Sequence, residues 1–124
     1  MRTNQKSGAK VMPIFRFPGA SGLGYAYVLV DLDQPGSITP QAGNYIFAKS
    51  AGPPKVVYSG EADNVMHEIA STTLWSEAKL RYGVDLLYVH PQKDHQARIT
   101  EQADLVAFHS PPMNLTDTAS ADKG

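Results

Sequence analysis

Apolar residues change their spacing along this chain in a set order, and that order predicts an α+β fold. Val11 to Phe17 is a short apolar run, restricted by Pro13 to a strand start or a sheet edge, because proline lacks the N–H that a ladder needs. Leu23 to Leu32 alternates with period two, setting Tyr25, Tyr27, Leu29 and Asp31 against Ala26, Val28, Val30 and Leu32. Asp33-Gln34-Pro35-Gly36-Ser37 has the chemistry of a turn. Two more apolar runs follow, Tyr45 to Ala48 and Val56 to Tyr58, with Ala51-Gly52-Pro53-Pro54 between them. They predict an antiparallel hairpin of strands 43–49 and 55–60.

The spacing then becomes helical. Ala62, Val65, Met66, Ile69 and Ala70 predict a helix over 61–70, which Ser71-Thr72-Thr73 interrupts while offering a new N-cap. Trp75, Ala78 and Tyr82 carry a second helix over 73–82, stopped by Gly83. Val84 to Val89 is a strand of the same sheet, closed by Pro91. Ile99, Ala103, Val106 and Ala107 give a third helix over 95–109, begun near Asp94 and ended by Ser110-Pro111-Pro112. From Tyr45 the order is ββααβα, with one or two strands added ahead of it, in a small antiparallel or mixed sheet flanked by helices. Ile46, Val57, Val65, Ile69, Leu87, Val89 and Val106 are the expected core.

A length of 124 residues supports one core, so 11–114 is read as a single domain, with a flexible arm at 1–10 and a disordered tail at 115–124. There is no cysteine, which excludes disulfides and thiolate metal sites. No apolar run approaches the roughly 20 residues of a membrane span. Met1 to Lys10 is polar and basic without an apolar block behind it, unlike a secretory signal, so a cytoplasmic location away from membranes is expected. Net charge is −1, which argues against a domain dominated by phosphate attraction. Charge is uneven: residues 1–30 hold Arg2, Lys6, Lys10 and Arg16 with no acid, whereas 43–114 hold six basic against eight acidic side chains.

Two tripeptides bear on function: Gly43-Asn44-Tyr45 opening one hairpin strand and Tyr58-Ser59-Gly60 closing the other. With Asn64-Val65 four residues after Gly60, and Asp104-Leu105-Val106 followed by Pro111-Pro112-Met113-Asn114, they resemble the GIY-YIG superfamily over residues 43–114. Its best-known members are metal-dependent DNA-cutting enzymes. The resemblance implies a central antiparallel sheet flanked by helices. It also implies that Tyr45 and Tyr58 border a cleft, one of them helping to activate a water, with Asn64 opening the first helix.

The chain departs from the family where the chemistry belongs. The family's arginine, four residues after the asparagine, is Glu68 here, and a carboxylate repels a phosphate that a guanidinium would clamp. His67 points about 100° away on a helix and is no easy substitute. The position after the glycine, often lysine, is Glu61. The glutamate that binds the single divalent ion aligns with Gln102, a poorer ligand for a hard cation, with Glu101 adjacent. Arg98 lies one turn before Gln102 and suits a helix-surface or binding role.

Plainer readings stand beside these. A strand tyrosine is ordinarily core, with its hydroxyl finding a partner. His67, His90, His95 and His109 lack metal-site spacing. Gly19 to Gly24 lacks the lysine and hydroxyl of a phosphate loop and reads as a flexible turn. The expectation is therefore a catalytically degenerate domain, binding nucleic acid or protein and needing no cofactor. The alternatives are a divergent Mg²⁺-dependent phosphodiesterase using Tyr45, Tyr58 and Glu101, and an unrelated small α+β domain.

Overall fold

The computed structural model describes residues 13–31 and 39–115. Within them lie five strands, β1 (Ile14–Pro18), β2 (Gly24–Leu29), β3 (Gly43–Lys49), β4 (Lys55–Ala62) and β5 (Leu86–Pro91), and three longer helices, α1 (Val65–Ser71), α2 (Leu74–Tyr82) and α3 (His95–His109), with a helical turn at 112–115. The chain order is ββββααβα, and from Gly43 onward it is the expected ββααβα. The strands form one sheet in the order β1-β2-β5-β3-β4, antiparallel at every pairing. The arm at 1–10, the turn at 33–37 and the tail beyond 115 lie outside the described residues.

Period-two alternation divides the sheet into two faces. Tyr45, Phe47, Leu87 and Val89 join Val65, Ala78 and Trp75 in a core beneath α1 and α2. Ile46, Ala48 and Tyr88 join Phe17, Tyr27 and Leu105 beneath α3. Tyr25, Tyr27 and Leu29 share that second face, as their alternation requires. A bulge refines the hairpin: Phe47 pairs with Tyr58 but Ala48 with Val56, so Val57 is an extra residue and shares the α1–α2 face with Tyr58. Pro13 precedes β1, an edge strand, as a missing N–H demands.

Local signals set the helix ends. The first helix starts at Val65 and not 61, because Glu61 and Ala62 remain paired with Asn44 and Gly43. Asn64 is its N-cap, accepting from His67 N at 3.0 Å. Gly83 stops α2 in the left-handed region at φ 71°. Asp94 caps α3, accepting from Ala97 N at 3.1 Å. The last strand runs to Pro91, two residues beyond the expected end, where Gly43 pairs with it.

The α3 stripe is where the pattern misleads. Ile99, Ala103 and Ala107 are exposed and Val106 is half-buried, while Arg98, Glu101 and Leu105 are buried. The reason lies opposite: the sheet presents Asn44, Ser59, Glu61, Tyr27 and His90 to α3, and polar groups there need polar partners. Of the expected core, Ile46, Val57, Val65, Leu87 and Val89 are buried, whereas Ile69 and Val106 are only half-buried. Met66 is exposed, because α1 is seven residues long and seats only Val65 fully. The glycine-rich turn is not loose. Asp104 accepts from Ser21 N (2.8 Å), Ser21 Oγ (2.6 Å) and Tyr25 Oη (2.7 Å), holding its own carboxyl below the usual range.

Candidate functional site

Both glycines of the paired tripeptides are dictated by close approach. A Cβ on Gly43 would lie 2.6 Å from the His90 carbonyl oxygen, so β5 can pass only a glycine there. Gly60 pairs with Tyr45, whose ring lies across it; a Cβ would sit 2.4 Å from Tyr45 Cζ. The ring continues onto Tyr58 and Phe47 at centroid distances of 6.0 and 5.4 Å. Its hydroxyl donates to Glu68 Oε2 at 3.4 Å, which is long and weak. Burial first, then Tyr58 and Glu68, pushes the Tyr45 hydroxyl far above its ordinary value, so it stays protonated and acts as a donor.

Tyr45, Tyr58 and Glu68 therefore meet on one side of the sheet. Beside them an open cleft of about 350 Å³ is lined by Glu61, Asp63, Asn64, His67, Glu68 and His95. His67 and Glu68 both border it, although they point apart on the helix. The cleft lies at the helix's first turn.

Of α3, only His95 lines the cleft; Glu101 and Gln102 lie elsewhere, and Arg98 reaches the cleft only through its bonds to Glu61 and Asp63. Arg98 is buried, not a surface residue, because it ties three segments together. Its Nε donates to Glu61 Oε1 (2.9 Å), Nη2 to Asp63 Oδ1 (2.5 Å), and Nη1 to the carbonyls of Gln92 (3.1 Å) and Lys93 (2.9 Å). Its charge is thus fully engaged, and the hydrogen bond to Glu61 leads the causes that hold its pKa up. Glu101 is buried in the opposite layer against Tyr27 and His90. Gln102 Nε2 donates to the Ser59 carbonyl at 2.8 Å.

That carbonyl also accepts from Asn114 Nδ2 at 2.9 Å, and Ser59 N donates to Asn114 Oδ1 at 2.7 Å. The amide of Asn114 thus occupies the free edge of β4 as a neighbouring strand would, which protects an otherwise open edge. Met113 beside it packs into the α1–α2 core, so the chain after α3 wraps over that edge. Sequence reasoning placed Asn114 in a closing motif without assigning it this work, and it missed the Tyr27–Glu101–His90 group. The alternation of Tyr25, Tyr27 and Leu29 was a signal for the first member of that group only.

The donor set does not fit a divalent ion. The two expected ligands are an amide turned to the backbone and a carboxylate enclosed by a tyrosine and a histidine. Among the described residues no three His, Asp or Glu side chains cluster to hold a metal. No helix among the described residues is long and apolar enough to cross a membrane. No family model, curated protein or solved structure matches this chain.

Proposed function

We propose that this chain is a catalytically degenerate GIY-YIG-like domain that serves as an interaction module and binds a protein partner. The observation that carries the reading is Glu68 at the Tyr45 hydroxyl: the position where the resemblance implies an arginine holds a carboxylate beside the family tyrosine. Glu61 and Asp63 border the same cleft, and the nearby Arg98 guanidinium is buried and committed to them. A phosphodiester approaching this cleft meets like charge, whereas a basic protein segment meets opposite charge. The ββααβα order from Gly43 and the packing of Tyr45 on Gly60 support the family resemblance.

The test is a cleavage assay on labelled duplex and single-stranded DNA with Mg²⁺ or Mn²⁺, run beside a binding titration of the same DNA. The expected result is no cutting above a buffer control and no salt-sensitive binding. Metal-dependent cutting that disappears in both Tyr58→Phe and Glu101→Gln would establish the phosphodiesterase alternative instead. Tight DNA binding that weakens steeply with salt would replace the protein partner with nucleic acid.

A further inference from the structure

The Tyr27–Glu101–His90 group lies outside the cleft and takes no part in the reading above. A carboxylate removed from water is costly unless donors surround it. The Glu101 side chain is only 4% exposed, and among the described residues its donors are neutral or conditionally charged. Tyr27 Oη donates to Oε2, and His90 Nδ1 stands 2.9 Å from Oε2 and 3.0 Å from Oε1. Neutral imidazole carries its proton on one nitrogen and a lone pair on the other. In the neutral ring, a carboxylate acceptor beside Nδ1 selects the tautomer with the proton on Nδ1 and the lone pair on Nε2. The His90 side chain is 27% exposed, and Nε2 makes no hydrogen bond among the described residues. The Tyr27 ring, 5.3 Å away between centroids, fixes the imidazole from the side. The other histidines differ: His67 and His95 are exposed on helix surfaces, and Nε2 of His109 is enclosed.

We propose that His90 is a nucleophilic site that takes an activated acyl group on Nε2, with Glu101 and, behind it, Tyr27 as positioning residues. Acyl chemistry is favoured over phosphoryl by charge. Glu101 backs the ring, and Arg98, one turn away on α3, is committed to Glu61, Asp63 and two carbonyls. In the step, the Nε2 lone pair forms a bond to the acyl carbon of an activated ester, and the ester C–O bond breaks. The oxygen leaves with the bonding pair as an aryloxide. The acylimidazolium left behind keeps its proton on Nδ1, hydrogen-bonded to Glu101, whose negative charge stabilises it. Water then adds at the acyl carbon and gives up one proton to solvent, the N–C bond returns its pair to Nε2, and a carboxylic acid departs.

Three measurements on the full chain test this. Limited acylation by diethyl pyrocarbonate, read by peptide mass spectrometry, should label His90 about tenfold faster than His67 or His95, and Glu101→Gln should remove that advantage with the circular dichroism spectrum intact. Release of nitrophenolate from p-nitrophenyl acetate should fall several-fold in His90→Asn, to the residual rate of His67 and His95. Nitrogen NMR of wild-type protein at pH 8 should find the proton of His90 on Nδ1, a readout that stands even where Glu101→Gln unfolds. Labelling of His90 no faster than that of His67 and His95, ester cleavage unchanged in His90→Asn, or a proton on Nε2 at that pH would each overturn the proposal.

Discussion

Gly60→Ala probes the contact that makes sense of both tripeptides. The backbone at Gly60 is not in the left-handed region, so alanine meets no conformational penalty there and would stabilise by about 0.4–1 kcal/mol through the unfolded chain alone. Against this stands the ring of Tyr45: the new methyl would lie 2.4, 2.6 and 2.9 Å from Cζ, Oη and Cε1. Tyr45 is fully buried, with Phe47 and Tyr58 against it, so the ring has little room to yield. Overpacking of this kind costs about 1–3 kcal/mol, so steric strain wins and a net loss of about 1–2 kcal/mol is expected. Trp75 packs on Phe47 with ring centroids 5.0 Å apart, so its fluorescence in a urea titration should follow unfolding. In a Tyr45→Leu background, which lacks the offending ring atoms, Gly60→Ala should be neutral or stabilising. A coupling of about 1–3 kcal/mol between the two sites should result. Equal shifts in both backgrounds, or Gly60→Ala at the wild-type midpoint, would refute the packing and the register beneath it.

Arg98→Met should lower stability by about 3 kcal/mol in the same titration, since it leaves two loop carbonyls and Glu61 without their donor. The exposed Asp63 contributes little, so Asp63→Asn should shift the midpoint only slightly. Asn114→Ala removes both hydrogen bonds to Ser59 and should cost about 1–3 kcal/mol, with faster amide exchange at Ser59 as a local readout. Acidification should destabilise through His109, whose burial lowers its folded pKa below 6.5. The unfolded chain takes the proton first, so stability is full above that value and is lost as pH falls through the folded one. His109→Gln should flatten this slope between pH 7 and 5, and an unchanged slope would show that the group does not carry it.

How much of this was legible in the sequence depended on whether the signal was local. Gly83 and Asp94 mark helix ends because capping needs only neighbouring backbone, and both do so in the structure, whereas Asn64 opens α1 where the spacing alone starts that helix at 61. The hairpin, the central β5 and the three helices followed from spacing alone, since period two and period 3.6 are properties of one segment. The α3 face was not legible. Its apolar stripe points to solvent because the strands opposite supply polar rungs, and no pattern within α3 records what lies across from it. The same holds for the site. Tyr45, Tyr58 and Glu68 meet because a strand pair and the next helix are adjacent in the chain, whereas Glu101, in the opposite layer, meets Tyr27 at a separation of 74 residues. The sequence by itself determined the elements, their order and the ends marked by Gly83 and Asp94. Only the tertiary structure decided which faces turn inward and which distant side chains share a proton, because burial and hydrogen bonding are settled between segments.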